Sequence, residues 1–200
     1  NQVGRSRAFW TWAKPQMDAH FGGAADMFSI EQVYEACNVV EPGFIRVDAD
    51  EGTYNMHVMI RFELERAMIS RDMDLADLPT EWNRLYREYL GLTVPDDRRG
   101  CLQDVHWSGG MIGYFPTYSM GNLLSYQIWD AMAAQVGDVD AKMTAGNFEP
   151  ILGWLQQNVY SKGRSIAPKD LVMQVTGKPM GAEAYLAGLT KKYNALYGLA

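Results

Sequence analysis

The sequence predicts an all-α protein that is mostly helical, with at most one or two short strands. Apolar residues recur every three to four positions in most segments, which is the period of one buried helix face. Prolines and glycines stand where these segments begin and end, as they do at helix boundaries. Only residues 44–47 favour strand geometry, so we expect little sheet.

Two helices are predicted near the beginning of the chain. The first runs from the start to about Phe21, with a bend or break near Pro15, and residues 22–23, both glycine, end it. Ser29 and Gln32 have the spacing of a capping box, in which each side chain satisfies a backbone N–H of the other residue. A second, short helix should therefore begin after Ser29.

An extended stretch followed by a long helix occupies the centre of the sequence. Residues 44–47 place Phe, Ile and Val around Arg46, and the Pro-Gly pair at 42–43 precedes them. From about Thr53 to near Ser70 the apolar period becomes helical. The expected buried face of this helix consists of Met56, Met59, Ile60, Leu64, Ala67 and Met68.

The remaining helices are indicated by their first residues, because proline suits the first turn of a helix and Asp can cap one. The expected starts are Pro79, Pro116, Asp138, Pro150 and Pro168, and a final amphipathic helix carries Tyr185 to Tyr197. Residues 100–113 lack this periodicity and contain four glycines. We expect them to form a loop that carries functional residues.

Composition narrows the class of protein. The 200 residues suit one large domain, and the net charge of −6 with dispersed basic residues predicts no nucleic-acid partner. No apolar run reaches the about 20 residues that cross a bilayer, and no signal peptide is visible, so we expect no membrane partner and a cytoplasmic location. Cys37 and Cys101 are expected to be reduced thiols.

Arg46 is the first candidate functional residue. It stands at the predicted junction between the extended stretch and the long helix, and Asp48, Asp50 and Glu51 follow it. A guanidinium held by carboxylates can bind an anion, since its planar fork matches a carboxylate with two hydrogen bonds. The alternative is that Arg46 only pairs with Asp48 or Asp50.

The second candidate is the stretch 100–107, which contains Gln103, Asp104 and His106. In an extended backbone Asp104 and His106 share a face, and a carboxylate beside an imidazole fixes its tautomer and raises its basicity. Such a histidine can donate a proton or a hydrogen bond during catalysis. A buried His–Asp pair with a purely structural role explains the pattern equally well.

The sequence offers no recognisable metal site. Its three histidines are His20, His57 and His106, and no two of them have the helical spacing of metal ligands. There is no H-E-x-x-H pattern, which would place two imidazoles one helical turn apart. His57 lies between apolar residues of the long helix, which favours a structural role.

Several motifs together resemble one family, the thermostable (Taq-type) zinc metallocarboxypeptidases. Residues 45–50 read I-R-V-D-A-D and are similar to the family's I-R-x-x-A-D motif, and residues 100–107 resemble its G-x-x-Q-D-x-H-W motif. Residues 113–118 resemble the segment that follows, and residues 3–10 resemble the segment just after the family's H-E-S-Q motif. The resemblance covers nearly the whole chain.

The resemblance implies a zincin-like helical exopeptidase that removes single residues from peptide carboxyl termini, usually as a cytosolic homodimer. In that family the zinc ligands come from H-E-x-x-H and H-E-S-Q, both upstream of the stretch that is similar here. Residues 1–200 would then be the carboxyl-terminal, substrate-binding part of a single larger domain. This part would lack the metal ligands, require the missing amino-terminal part and be inactive alone.

The resemblance also implies roles for individual residues. Arg46 would bind the terminal carboxylate of the substrate, and Asp50 would orient Arg46. His106, held by Asp104, would face the scissile carbonyl or the product carboxylate.

Three further side chains complete the implied site. Gln103 would be a polar lining group, and Tyr118 would donate a hydrogen bond to the tetrahedral oxyanion. The family's H-x-x-R-Y motif corresponds to residues 162–166, which read K-G-R-S-I and lack its His and Tyr. A substrate-binding role for Arg164 rests on that incomplete match.

Two other hypotheses remain open from the sequence. One is a non-catalytic helical module, derived from the same family, that serves dimerisation or partner binding. The other is a hydrolase that uses Asp104, His106 and nearby carboxylates without metal.

Overall fold

The computed structural model describes residues 1–24 and 27–199, and these residues form α-helices and short 310 turns without any strand. The helices are α1 (Arg7–Phe21), α2 (Ile30–Ala36), α3 (Tyr54–Ser70), α4 (Leu78–Leu90), α5 (Pro116–Val136), α6 (Val139–Thr144), α7 (Glu149–Asn158), α8 (Pro168–Thr176) and α9 (Glu183–Tyr197). The all-α prediction is confirmed.

The chain divides into two compact units. The first unit comprises Asn1–Asn38 and Asn122–Ala200. Within it α1 packs against α2 and α6. Its core centres on Met132, Val139, Met143, Ile151 and Trp154.

The second unit, Val39–Gly121, contains both candidate motifs. Helix α3 packs along α4, and a long connection without helices joins α4 to α5. The core of this unit contains Ile60, Leu64, Trp82, Leu85, Tyr86, Leu90, Val94 and Cys101, with Phe44 and Trp107 packed against it.

Most helix boundaries follow the local signals in the sequence. The capping box of Ser29 and Gln32 is present, and Gly91 ends α4 in the left-handed conformation at φ 70°. The first helix differs in two ways: it continues through Pro15 without a break, and Ser6, which was not predicted as a cap, accepts a hydrogen bond from the Phe9 amide.

The predicted buried face of α3 is correct for Ile60 and Leu64, which are buried, but wrong for two of its methionines. Met56 and Met59 are exposed, whereas the polar residues His57, Arg61 and Glu65 are buried, one turn apart. These side chains can be buried because they form hydrogen bonds with other polar groups inside the protein. Hydrophobicity alone could not reveal this, because the helix directs a polar stripe inward.

The strand expected at residues 44–47 does not form. Arg46–Asp48 is a 310 turn, and Val47 is largely exposed. No strand within residues 1–24 and 27–199 pairs with this stretch. Instead Gln103 Oε1 accepts a hydrogen bond from the Arg46 amide at 2.9 Å, and Gln103 Nε2 donates one to the Phe44 carbonyl at 2.9 Å.

No helix in the described ranges combines the length and the apolar character needed to span a membrane.

Both cysteines are free thiols, as predicted, with Cys37 half-buried and Cys101 buried. Burial raises the pKa of the Cys101 thiol.

Candidate functional site

The centre of the site is a buried cluster of two guanidiniums and one carboxylate in the second unit. Arg46 is 4% exposed and Arg61 0% exposed. Asp104 lies between them: its Oδ1 is 2.7 Å from Arg46 Nη2, and its Oδ2 is 2.6 Å from Arg61 Nε. The ion-paired side chains of Arg46, Asp104 and Arg61 therefore carry two positive charges and one negative charge, which leaves a net positive charge.

Arg46 is fixed by polar and aromatic contacts. Its Nε and Nη2 contact Asp104, and Nη1 donates to the Tyr54 hydroxyl at 2.8 Å. The Tyr118 ring lies against the guanidinium, with its centroid 4.7 Å from Cζ. A guanidinium has five N–H groups, so one on each terminal nitrogen has no hydrogen-bond partner among the described residues.

The carboxylate that contacts Arg46 is Asp104, which is neither Asp50, expected to orient Arg46, nor Asp48, the other residue of the alternative pairing. Asp50 Oδ1 instead accepts from the amides of Gly52 and Thr53, at 2.7 and 2.9 Å. These amides lie just before α3, where backbone donors have no helical partner and a carboxylate cap satisfies them. Asp50 therefore organises the helix start and does not contact the Arg46 guanidinium.

Asp104 is ionised within this cluster. Burial alone would raise its pKa, but hydrogen bonds and charge from Arg46 and Arg61 outweigh burial and hold the pKa below its usual value.

Arg61 is a residue that the sequence analysis missed. Besides Asp104, it donates to the His57 carbonyl and to Gln103 Oε1, both at 2.8 Å, and its Cζ lies 4.6 Å from the Trp82 ring centroid. The signal available in the sequence was the helical spacing of His57, Arg61 and Glu65, since three polar residues on one face indicate an inward polar stripe.

Gln103 was predicted as a polar lining group, but its amide is engaged inside the protein. Its Oε1 accepts from the Arg46 amide and from Arg61 Nη2, while Nε2 lies within hydrogen-bond distance of the Phe44 and Arg99 carbonyls. The side chain therefore acts as a support that holds the Arg46 turn.

His106 is buried beside Asp104 and Tyr118. Its Nε2 is 2.9 Å from the Tyr118 hydroxyl, and its ring centroid is 4.3 Å from that of Phe115. Nδ1 is 3.7 Å from Asp104 Oδ1, which is too long for a hydrogen bond. Burial lowers the pKa of His106, and although Asp104 opposes the shift it does not overcome it. The predicted gain in basicity is wrong, and the imidazole is neutral at pH 7.

Glu65 is the second residue that the sequence analysis missed. Its carboxylate accepts from the Trp107 indole at 2.7 Å and from the Gly113 amide at 2.5 Å. Both ends of the glycine-rich stretch after His106 are thus attached to α3. This attachment positions the backbone on which His106 lies.

His57 has the structural role predicted for it. It is 0% exposed, and its Nδ1 is 3.1 Å from the Tyr86 hydroxyl. That hydroxyl donates its hydrogen to the Phe44 carbonyl at 3.0 Å, so His57 must supply the hydrogen through Nδ1. Burial, reinforced by the charge of Arg61, lowers the pKa of His57 to about 4.

This pKa predicts a pH-dependent stability. The unfolded chain takes up the His57 proton near pH 6.5, whereas the folded chain does so only near pH 4. The free energy of unfolding should therefore fall by roughly 3 kcal/mol as the pH drops through this window. Urea titrations at several pH values should show this fall, and His57→Asn should remove most of it.

The exposed His20 provides the control, because His20→Asn should keep the full pH dependence. His106 acts in the same direction through its own lowered pKa, so a residual slope in His57→Asn is expected. A slope in His57→Asn equal to that of the unaltered chain would contradict the assignment.

The predicted site residues separate into two groups. The second unit brings Arg46, Gln103, Asp104, His106 and Tyr118 into one cluster, in which Asp104 and Tyr118 each contact both Arg46 and His106. Arg164 lies in the first unit, exposed on a turn between α7 and α8. Its role stays a prediction.

Metal binding is not supported by the side chains of the described part of the chain. No group of three or more His, Cys, Asp or Glu side chains among them could hold a metal ion. The arginine-rich centre itself would repel a cation.

Several solved carboxypeptidase structures have a similar fold. An M32 carboxypeptidase from Deinococcus radiodurans R1 superposes with a TM-score of 0.96 at 42% identity, covering 99% of this chain and 40% of that one. A Pyrococcus furiosus carboxypeptidase gives a TM-score of 0.93 at 37% identity, covering 96% and 39%. The chain thus has the all-helical fold of a part of these carboxypeptidase structures.

Sequence comparison gives the family. Residues 1–193 match the family described as Carboxypeptidase Taq (M32) metallopeptidase, and the chain belongs to it. Thermostable carboxypeptidase 1 of Thermus thermophilus is 42% identical over 198 residues, and carboxypeptidase 1 of Bacillus subtilis is 38% identical over 198 residues. The chain covers 39% of the length of each of these relatives.

Proposed function

We propose that this chain is the carboxyl-terminal, substrate-binding part of a single larger zinc metallocarboxypeptidase domain that removes single residues from peptide carboxyl termini. The observation that carries the proposal is Arg46: a buried guanidinium, held by Asp104 and Tyr54, with one unpartnered N–H on each terminal nitrogen among the described residues.

A terminal carboxylate is the ligand that suits Arg46. Buried donors without a partner are costly, and a carboxylate can accept two parallel N–H groups from one guanidinium. An exopeptidase needs such a group because the free carboxylate is what distinguishes a chain end from an internal peptide bond. The side chain is already fixed by Asp104, Tyr54 and Tyr118, so little conformational freedom is lost on binding.

His106 and Tyr118 are the groups proposed to face the scissile carbonyl. Their side chains are bonded to each other, and both lie beside the Arg46 cluster. The pair has two hydrogens, the imidazole N–H and the phenol O–H, and one of them is used in the mutual hydrogen bond. The other can be donated to a developing oxyanion. Asp104 positions Arg46, and Arg164 is retained as a further substrate contact on the basis of the motif alone.

Tyr118→Phe should lower kcat about fivefold with a smaller change in KM, because it removes one neutral donor, worth about 1 kcal/mol, that acts mainly in the transition state. Steady-state kinetics of the full-length protein would measure this. The exposed Tyr160 serves as the matched control, since Tyr160→Phe should leave both constants unchanged. Equal rates for Tyr118→Phe and the unaltered enzyme would remove Tyr118 from the proposal.

The metal of this metallopeptidase family must have ligands that the described residues do not supply. We propose that zinc is held by residues outside these 200, and that the 200-residue chain alone does not hydrolyse peptides. The same proposal includes a cytoplasmic homodimer as the assembled enzyme.

The deciding experiment uses the full-length protein and two peptides that differ only at the end, one with a free carboxyl group and one amidated. Release of the terminal residue from the free acid alone, abolished by a chelator and restored by zinc, is expected. Equal cleavage of the amidated peptide would contradict the role of the carboxylate. A full-length sequence without H-E-x-x-H, together with no hydrolysis, would instead support a non-catalytic module.

A further inference from the structure

The buried arginine Arg61 has a relation to Arg46 that the family motifs do not describe. The two guanidiniums share one carboxylate: Asp104 Oδ1 accepts from Arg46 Nη2 at 2.7 Å, and Asp104 Oδ2 accepts from Arg61 Nε at 2.6 Å. They also share Gln103 Oε1, which accepts from the Arg46 amide at 2.9 Å and from Arg61 Nη2 at 2.8 Å. Arg61 thus touches two of the groups that hold Arg46, Asp104 and Gln103.

The charge balance of this cluster depends on Arg61. A pair of Arg46 and Asp104 alone would be neutral, and repulsion from Asp104 would offset part of the attraction between Arg46 and an incoming carboxylate. With Arg61 bonded to the other oxygen of Asp104, the three groups together are positive. Because the cluster is buried, solvent screens these interactions weakly.

We propose that Arg61 is a positioning residue for carboxylate recognition, which compensates the charge of Asp104 so that the cluster around Arg46 keeps a net positive charge for the ligand. The inference rests on the proposed function, because it concerns the same carboxylate site. In this proposal Asp104 orients the Arg46 side chain. Arg61 compensates the negative charge that Asp104 places beside the carboxylate-binding group.

The rival explanation is that Arg61 only stabilises the fold. It packs over the Trp82 ring, a contact between α3 and α4, and it donates to the His57 carbonyl one turn earlier in α3. A purely structural role predicts that any loss of Arg61 weakens all ligands alike. A charge role predicts that the loss can be repaired by removing the charge of Asp104.

The test uses three variants of the full-length protein: Arg61→Gln, Arg61→Lys and the double variant Arg61→Gln/Asp104→Asn. The probes are an N-acetylated amino acid with a free carboxylate and the same compound as its amide. Calorimetric binding of both probes and the split between KM and kcat are measured, and thermal melts identify folded variants.

Arg61→Gln should weaken binding of the carboxylate probe about tenfold or more, because one buried charge is lost. Binding of the amide should change little, and KM should rise more than kcat falls. The double variant restores the net charge and should recover most of the carboxylate affinity. Arg61→Lys keeps the charge, so it should retain the preference for the carboxylate.

The inference is overturned if the double variant binds the carboxylate no better than Arg61→Gln, or if both probes lose affinity equally. If Arg61→Gln fails to fold, Arg61→Lys and the double variant are compared with the unaltered protein. The inference is then overturned if both variants lose the preference for the carboxylate probe. Failure of the proposed function is distinguishable, since then the unaltered protein would not prefer the carboxylate over the amide.

Discussion

Arg46→Ala in the full-length protein should raise KM for a peptide with a free carboxyl terminus about 100-fold, with a smaller effect on kcat. The reason is the loss of two charge-assisted hydrogen bonds from a fixed, desolvated guanidinium, worth about 3 kcal/mol together. Steady-state kinetics with a series of peptide concentrations would measure the change.

The fold should survive this substitution, because Arg61 still neutralises Asp104 through its 2.6 Å contact. Arg46→Lys is the informative companion, since it keeps the charge but loses the planar fork, and it should recover only part of the affinity. Arg99→Ala, at an exposed ion pair, is the matched control and should leave KM unchanged. An Arg46→Ala enzyme with normal KM would exclude Arg46 as the carboxylate-binding group.

Asp104→Ala should have the largest effect on stability, lowering the free energy of unfolding by about 3–5 kcal/mol. The substitution leaves two buried guanidiniums without their shared carboxylate, each with unsatisfied N–H groups and in mutual repulsion. Urea unfolding at neutral pH, followed by circular dichroism, would measure the loss.

Protonation of Asp104 at low pH should also lower the free energy of unfolding of the unaltered protein. The folded pKa of Asp104 is lowered, so its contribution is fully present above its unfolded pKa, near 4, and disappears as the pH falls through the lower folded value. Asp96→Ala, at an exposed ion pair, is the control and should change stability little. An Asp104→Ala protein as stable as the Asp96→Ala protein would show that the cluster does not support the fold.

The helical class and most helix boundaries could be predicted from sequence because their causes are local. Ser29 caps its helix through contacts within three residues, and Gly91 ends α4 because glycine tolerates the left-handed conformation. The motifs around Arg46 and His106 could also be recognised, since the residue types and their order are themselves the signal.

The inner face of α3 shows where this reasoning stops. Apolar periodicity predicted buried methionines, yet the structure exposes Met56 and Met59 and buries His57, Arg61 and Glu65. A polar side chain is buried only if partners satisfy it, and the partners here come from residues up to 48 positions away, as between Glu65 and Gly113. No local pattern contains that information.

By itself, the sequence determined that the protein is helical, where most of its helices begin and end, and which two short motifs carry the candidate chemistry. Only the tertiary structure decided that Asp104, rather than Asp50, holds Arg46, that Arg61 shares this carboxylate, and that burial keeps His106 neutral. The physical reason is the range of the interactions: caps and periodicity act within a few residues, whereas ion pairing and desolvation depend on which distant segments meet.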